Sequence, residues 1–216
     1  MNKDTIYPLW PIKVGQFHNP DHQIIKKDLV KFFQNYENEN NTSRVGVENH
    51  NLYESKYNLH LEKNDALSKV LIFIAKSFMS MAQTINKAEL NKFKNKIPKL
   101  NVKIKDSWFI RYKKEGAVMP HDHGNCSMSC VYYFQIDDNS NDLNNGSTYF
   151  MRPYNRGSSH NDFGGLNYVN GGINTFEAVE GSLLIWPSFL MHGSKPYLGE
   201  KNRIVISANA DIDIVK

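Results

Sequence analysis

The segment His121-Asp122-His123 holds the residues whose types and spacing best suit metal chemistry. If the segment is extended, side chains two positions apart project from the same face and can bind one ion. His192, which follows the apolar run 183–187, is the candidate for a third ligand. Neutral imidazoles suit iron, zinc, copper and nickel, so these residues predict a metal site without naming the metal.

Arg203 is the next candidate, because it begins an alternating strand in which Arg203, Val205 and Ser207 share one face. A guanidinium on such an apolar strand requires an anion, since burying the charge unpaired is costly. The alternative is an arginine that is exposed at a strand end or paired with a nearby carboxylate. The residues alone leave both interpretations open.

The elements that must position these residues change in kind near residue 100. From there the hydrophobic pattern has a period of two, which predicts strands. The predicted strands are 102–113, 127–136, 147–151, 175–179, 182–186 and 204–210.

The first third of the chain favours helices. Asn19-Pro20 is typical of an N-cap followed by proline at the first helical position, and predicts a helix reaching about Tyr36. A polar loop follows over about 37–55. An apolar stripe of period near 3.6 then predicts a second helix over about 65–85.

The order of elements predicts an α+β fold in one domain spanning 1–216, with helical support in 1–99 and a sandwich or barrel in 100–216. The stretch 137–172 is rich in Asn, Gly and Ser and forms a long insert. Long loops in compact domains are usually functional or disordered. We expect this one to be a lid, whose Arg152, Arg156 and His160 could meet a polar or anionic substrate.

Composition restricts the class of protein. The chain has 216 residues, of which 40% are hydrophobic, and this excludes wholesale disorder. A mean hydropathy of −0.54 and the lack of a long apolar run exclude a membrane-spanning helix. The net charge of +4 comes from scattered lysines, so no nucleic-acid partner is expected. Without a signal peptide, and with Cys126 and Cys130 too far apart to form a disulfide, we expect a cytoplasmic protein.

Several short motifs together resemble the iron(II)- and 2-oxoglutarate-dependent oxygenase superfamily, and more narrowly its family of bacterial and phage 2OG-Fe(II) oxygenases. The core of that superfamily is a double-stranded β-helix, a jelly-roll or cupin-like barrel. The matching motifs are Pro8-Leu9-Trp10-Pro11, Ser107-Trp108, Pro120-His121-Asp122-His123, Ser129-Cys130-Val131-Tyr132-Tyr133, Gly181-Ser182-Leu183-Leu184-Ile185-Trp186-Pro187, His192-Gly193 and Arg203-Ile204.

The resemblance implies a role for each matching residue. His121 and His192 match the two histidines of the metal site, and Arg203 matches the basic residue that pairs with the distal carboxylate of 2-oxoglutarate. Tyr133 matches a tyrosine that contacts the same carboxylate, and Tyr112 resembles another such tyrosine in a looser alignment. Ser207, which shares its strand face with Arg203, completes the candidate cosubstrate residues.

One feature departs from the superfamily's usual pattern, in which the second ligand of the proximal pair is a carboxylate in His-x-Asp/Glu. Here the residue two after His121 is His123. Strand parity favours His123 as the third ligand and turns Asp122 away, whereas a twisted loop would favour Asp122.

The implied activity is hydroxylation of a small-molecule or peptide substrate. In that reaction 2-oxoglutarate and dioxygen yield succinate, carbon dioxide and an oxidant that removes hydrogen from an unactivated carbon. The alternative is a cupin-like three-histidine metal protein that does not use 2-oxoglutarate, either a thiol-type dioxygenase or a non-enzymatic binding domain. A catalytically silent barrel that acts as an interaction module is the third possibility.

Overall fold

A computed structural model describes residues 11–43, 51–93, 97–136, 142–153 and 171–215. The helices are α1 (His22–Glu39), α2 (Asp65–Ile85) and the short α3 (Lys87–Leu90), with a 3-10 turn at Leu59–Leu61. The strands are β1 (Gly15–His18), β2 (Leu52–Glu54), β3 (Lys99–Tyr112), β4 (Met128–Ile136), β5 (Thr148–Met151), β6 (Ile173–Phe176), β7 (Ser182–Pro187), β8 (His192–Ser194) and β9 (Arg203–Val215).

These strands form two antiparallel sheets. The larger has the order β1-β7-β4-β9-β3-β2, and the smaller has the order β6-β5-β8. Successive strands change sheet four times, between β4 and β5, β6 and β7, β7 and β8, and β8 and β9. The turn from β7 to β8 therefore carries the chain from one sheet to the other, and it delivers His192 to the start of β8.

The larger sheet is buried on both faces, and residue parity sorts its side chains between two clusters. Phe109, Tyr132 and Ile206 belong to the cluster that includes the helices. Their strand neighbours Ile110 and Val205 belong to the second cluster, between the sheets, which Phe150 of the smaller sheet also joins. The interior of the barrel is therefore lined by the alternate residues of strands whose outer face is covered by helices.

The two long helices cover that outer face with apolar stripes. Asn64 caps α2, with its Oδ1 accepting a hydrogen bond from the backbone N–H of Leu67 at 2.9 Å. Phe33 of α1 packs on Phe109 at 4.5 Å between ring centroids and on Phe134 at 5.1 Å. These contacts pack the helices on the outer face of the larger sheet, and the candidate site lies on its inner face.

The second predicted helix is confirmed, since α2 spans Asp65–Ile85. The predicted start of the first helix is wrong. Asn19 and Pro20 form a turn in which His22 N–H donates to the carbonyl of Asn19, and α1 begins at His22. Asn19 Oδ1 does accept a backbone bond, from Asp21 N–H at 3.0 Å, but this bond closes the turn before the helix.

Most of the predicted strands are present, and the differences have simple causes. The sequence does not predict β1, β2 and β8, because each has three or four residues and none has two apolar residues in alternation. β6 lies at Ile173–Phe176 rather than 175–179. β9 continues to Val215, beyond the predicted end at 210, because its second half pairs with the start of β3.

The predicted lid lies largely outside the described residues, and so do Arg156 and His160; Arg152 is described and half-buried. Within the described ranges, no helix is both long and apolar enough to span a membrane.

Candidate metal and cosubstrate site

His121 and His192 are joined through their backbones. The N–H of each donates to the carbonyl of the other at 2.9 Å, as an isolated antiparallel bridge. The bridge holds the two imidazole rings 4.4 Å apart between centroids. His121 lies in a short irregular segment between β3 and β4, and its pairing with His192 is what extends this segment.

Both rings have a fixed tautomer. Nδ1 of His121 lies 2.8 Å from the carbonyl oxygen of Met119, and Nδ1 of His192 lies 2.8 Å from that of Leu190. A carbonyl oxygen only accepts, so each Nδ1 carries a hydrogen, and in the neutral form of the ring Nε2 keeps its lone pair. This is the arrangement of a metal-binding histidine whose orientation is held by its other nitrogen.

His123 completes the group. Its backbone N–H donates to the carbonyl of Ser188 at 3.0 Å, in the turn between β7 and β8. Its ring lies 5.1 Å from that of His192 and 5.7 Å from that of Trp108, close to parallel with both. The ring is therefore placed by one backbone bond and two stacking contacts.

The protein environment keeps the imidazole rings of His123 and His192 uncharged. Burial, reinforced by the nearby His121, lowers the pKa of His123 to about 4. The same two causes, in the same order, lower the pKa of His192 to about 3. At neutral pH these imidazoles are free bases, which is the form that binds a metal ion.

The structure brings three of the four candidate ligands together. One nitrogen from each of His121, His123 and His192 lies within 4.8 Å of the others. Asp122 is exposed and is not part of this group. Three convergent imidazole nitrogens suit iron, zinc, copper or nickel, so the donor set fits a transition metal.

Arg203 is the first residue of β9, lies on the inner face of that strand and is 1% exposed. Its Nη2 donates to the carbonyl of Gly146 at 2.6 Å, whereas its Nε and Nη1 have no hydrogen-bond partner among the described residues. Its Cζ lies 4.0 Å from the ring centroid of Tyr112 and 5.6 Å from that of Tyr133. A buried guanidinium with two unused nitrogens fits an anionic ligand that accepts from a planar donor pair.

The two predicted tyrosines differ in their contacts. The Tyr133 hydroxyl donates to Oγ1 of Thr148 at 2.6 Å, and burial raises the pKa of Tyr133 although the positive charge of Arg203 opposes this. Tyr112 and Thr148 line a cavity of about 100 Å³, together with the three histidines and Ser207. Arg203 therefore borders, through Tyr112, the cavity that holds the histidines.

Gly146 allows the close approach of the guanidinium. Its φ is +64°, and a Cβ at this position would lie 3.1 Å from Nε of Arg203. Glycine is the residue that tolerates both requirements. The Asn145-Gly146 pair is a turn signal in the sequence, but its contact with Arg203 depends on tertiary structure.

Sequence reasoning did not assign Thr148, Gly146 or Trp186 to the site. Thr148 had a weak signal, as a polar residue on the inner face of a short strand. Trp186 stood within a motif of the resemblance, and its ring lies 4.6 Å from that of His192. Spacing alone could not show that β5 and β7 turn these side chains towards one cavity.

The sequence from 106 to 209 matches a family model described as "Putative 2OG-Fe(II) oxygenase". The matched segment extends from the end of β3 into β9 and contains every candidate residue named above. No curated protein sequence matches the chain.

Solved structures of several such enzymes have the same fold. A prolyl-4-hydroxylase from Pseudomonas putida aligns over 91% of each chain with a TM-score of 0.56 and 13% identity. A prolyl hydroxylase from Trichoplax adhaerens, in complex with a hypoxia inducible factor oxygen degradation domain peptide, aligns over 92% of this chain and 83% of its own, with a TM-score of 0.59 and 13% identity. HygX from Streptomyces hygroscopicus, with nickel, 2-oxoglutarate and hygromycin B bound, aligns over 92% and 82%, with a TM-score of 0.57 and 9% identity.

These likenesses confirm the predicted α+β fold with a double-stranded β-helix. Over residues 106–209, in its strand half, the chain is similar to the 2OG-Fe(II) oxygenase family, whose description names iron(II) and 2-oxoglutarate.

Proposed function

We propose that the protein is a hydroxylase in which His121, His123 and His192 hold the iron and Arg203 binds the distal carboxylate of 2-oxoglutarate. One observation supports this most directly. A cavity lined by three imidazoles is bordered by a buried guanidinium whose Nε and Nη1 have no partner among the described residues. The histidines and the guanidinium thus match the two ends of a cosubstrate, one of which chelates a metal while the other presents a carboxylate.

The residues of the chain have three tasks in this proposal. The imidazoles of His121, His123 and His192 provide the ligands, and the backbone bridge between His121 and His192 sets the spacing of these two. Arg203, with Tyr133 and Thr148 beside it, fixes the far end of the cosubstrate. Apolar walls around the cavity exclude water. When bound, iron(II) and 2-oxoglutarate supply the family's chemistry, in which dioxygen is reduced and 2-oxoglutarate loses carbon dioxide to become succinate.

The substrate class follows from the relatives only in outline. Two of the similar structures are prolyl hydroxylases, one with a peptide bound, and another enzyme of this fold binds hygromycin B. For this chain we propose a small-molecule or peptide substrate, together with dioxygen. Neither cysteine is in a disulfide, which supports a reducing, cytoplasmic location.

The cupin-like alternative requires the three histidines but not Arg203. Burying a guanidinium without an anion is costly, so such a protein would gain nothing from the unused nitrogens of Arg203. The observation therefore favours the 2-oxoglutarate-dependent reaction.

The experiment is a turnover assay with ¹³C-labelled 2-oxoglutarate, no added substrate and ascorbate as the reductant that replaces it, followed by NMR. We expect slow formation of labelled succinate that requires both iron(II) and dioxygen and is lost in His192→Ala. Asp122→Asn is the matched control and should keep the activity. Tight metal binding without any succinate would support the cupin-like alternative instead.

A further inference from the structure

Trp186 carries a buried hydrogen-bond donor that the proposed function leaves unused. Its side chain is 2% exposed, and its Nε1 has no acceptor among the described residues. An indole N–H can only donate. Native proteins pair nearly all of their buried donors, so an orphaned N–H on a cavity wall indicates a ligand atom that accepts from it.

The position of Trp186 restricts which ligand atom this is. The indole lines the cavity that holds the three histidines, and its ring centroid is 4.6 Å from that of His192 and 5.1 Å from that of Phe150. Trp186 is therefore at the metal-binding end of the cavity.

The strand register separates Trp186 from Arg203. Trp186 is opposite Ser129 on β4, and Ser129 is opposite Asn209 on β9. Arg203 is six residues before Asn209 on the same strand, which is about 20 Å of extended chain. The indole therefore cannot serve the same carboxylate as the guanidinium.

We propose that the Trp186 N–H donates a hydrogen bond to the C1 carboxylate of 2-oxoglutarate, at the oxo-acid end that chelates the metal. This rests on the proposed function and adds a cosubstrate-binding residue to it. A bond from a neutral donor to a carboxylate is stronger than one between neutral groups. With Arg203 at one end and Trp186 at the other, the pocket selects both the length and the direction of the cosubstrate.

The test uses the three tryptophan side chains as reporters, because each gives one indole N–H signal in a ¹⁵N NMR spectrum. The Trp186 signal is the one missing from Trp186→Phe. In wild-type protein loaded with zinc(II), 2-oxoglutarate should move this signal downfield. Butyrate, which has the distal carboxylate but no oxo-acid group, should leave it in place.

Affinity provides a second measurement. Trp186→Phe keeps an aromatic ring but lacks the donor, and should weaken 2-oxoglutarate by roughly tenfold or more while zinc(II) affinity is unchanged. The matched control is Tyr132→Phe, which removes a buried hydroxyl from the helix-covered face of the same sheet and should leave 2-oxoglutarate affinity unchanged.

The outcomes separate this proposal from the function on which it rests. If 2-oxoglutarate binds the wild type and the Trp186 signal does not move, the assignment of Trp186 is wrong and the function stands. If the metal-loaded wild type does not bind 2-oxoglutarate at all, the proposed function is wrong, and the role of Trp186 with it. If Trp186→Phe does not fold, the signals missing from Trp10→Phe and Trp108→Phe assign the Trp186 signal by elimination, and the wild-type spectrum still decides the question.

Discussion

His121 and His192 exchange both of their backbone hydrogen bonds, at 2.9 Å each, so the two histidines are held together by main chain rather than by side chains. Their Nδ1 atoms are engaged by carbonyls two residues earlier, which turns both Nε2 atoms to the same side. The spacing of the site is therefore set before a metal arrives, and removing one imidazole leaves the bridge intact.

The first prediction follows from that separation of backbone and side chain. His192→Ala and His121→Ala should each lower metal affinity by at least about a hundredfold, because a site of three ligands loses one. Melting followed by circular dichroism should show a fold close to wild type. Cobalt(II) titration, read by its visible absorption, measures the affinity. Full occupancy in either variant would contradict the assignment.

The second prediction concerns the third ligand. Asp122→Asn should keep metal affinity, since Asp122 is exposed and outside the histidine group, whereas His123→Ala should lose much of it. His123→Asp should still bind iron, because both imidazole and carboxylate suit that metal. The same variant should bind 2-oxoglutarate more weakly, as a carboxylate lowers the positive charge that attracts it. X-ray absorption of the cobalt(II) protein would show the ligand set directly, and loss of a ligand in Asp122→Asn would overturn it.

The three histidines show how much of the site can be predicted from the spacing of residues in the sequence. Alternation in an extended segment is enough to place His121 and His123 on one side and Asp122 on the other, because it depends only on local geometry. The approach of His192 depends on the turn from β7 to β8, whose path between the sheets has no local signal. Short strands such as β8 form because their partners are already in place, so a period could not reveal them.

The third prediction is that Gly146→Ala destabilises the protein by about 1–2 kcal/mol, since alanine is strained at positive φ. Its Cβ would also press on Arg203 Nε, which should weaken 2-oxoglutarate binding. Gly172→Ala is the matched control, because no atom of the described residues lies within 4 Å of a Cβ there. Chemical unfolding and calorimetry measure the two effects, and equal behaviour of both variants would show that Arg203 does not depend on Gly146.

The fourth prediction concerns stability at acid pH and the carboxylate of Glu180. Burial opposes its charge, but hydrogen bonds from His22, Lys26 and the Ile136 N–H prevail and lower the pKa of Glu180 to about 2 from 4.5. A carboxylate whose pKa is lowered by folding stabilises the fold at pH values above its pKa in the unfolded chain. About 1–3 kcal/mol should therefore be present above pH 4.5 and be lost as the pH falls towards 2.

The measurement is urea unfolding between pH 6 and pH 2.5. Glu180→Gln should be less stable at pH 6 and should show a smaller acid loss than the wild type. Glu89→Gln is the control, because Glu89 forms only an exposed ion pair with Lys92, and should change little. If Glu180→Gln lost as much stability between pH 6 and pH 2.5 as the wild type, the loss would be due to other carboxylates.

The position of Arg203 beside Tyr133 could be predicted in part from the sequence. The alternation of β9 puts Arg203 and Ser207 on one face, and the parity of β4 puts Tyr133 on the interior face that Arg203 shares. The other contacts of Arg203 and Tyr133 come from Gly146 and Thr148, which lie just before β5 and at its first residue. Such contacts depend on how β5 docks against the larger sheet, which no local pattern specifies.

The central claim is that one cavity binds a metal and 2-oxoglutarate together, and calorimetry of 2-oxoglutarate with the iron(II)-loaded protein under argon tests it most directly. The wild type should bind one equivalent and should need the metal to do so. Arg203→Ala should weaken binding by about 2–4 kcal/mol, the cost of unpairing a buried charge pair, and Arg203→Lys should restore only part of the loss because lysine lacks a planar donor pair. Failure of the metal-loaded wild type to bind 2-oxoglutarate, or an affinity unchanged by Arg203→Ala, would contradict the account.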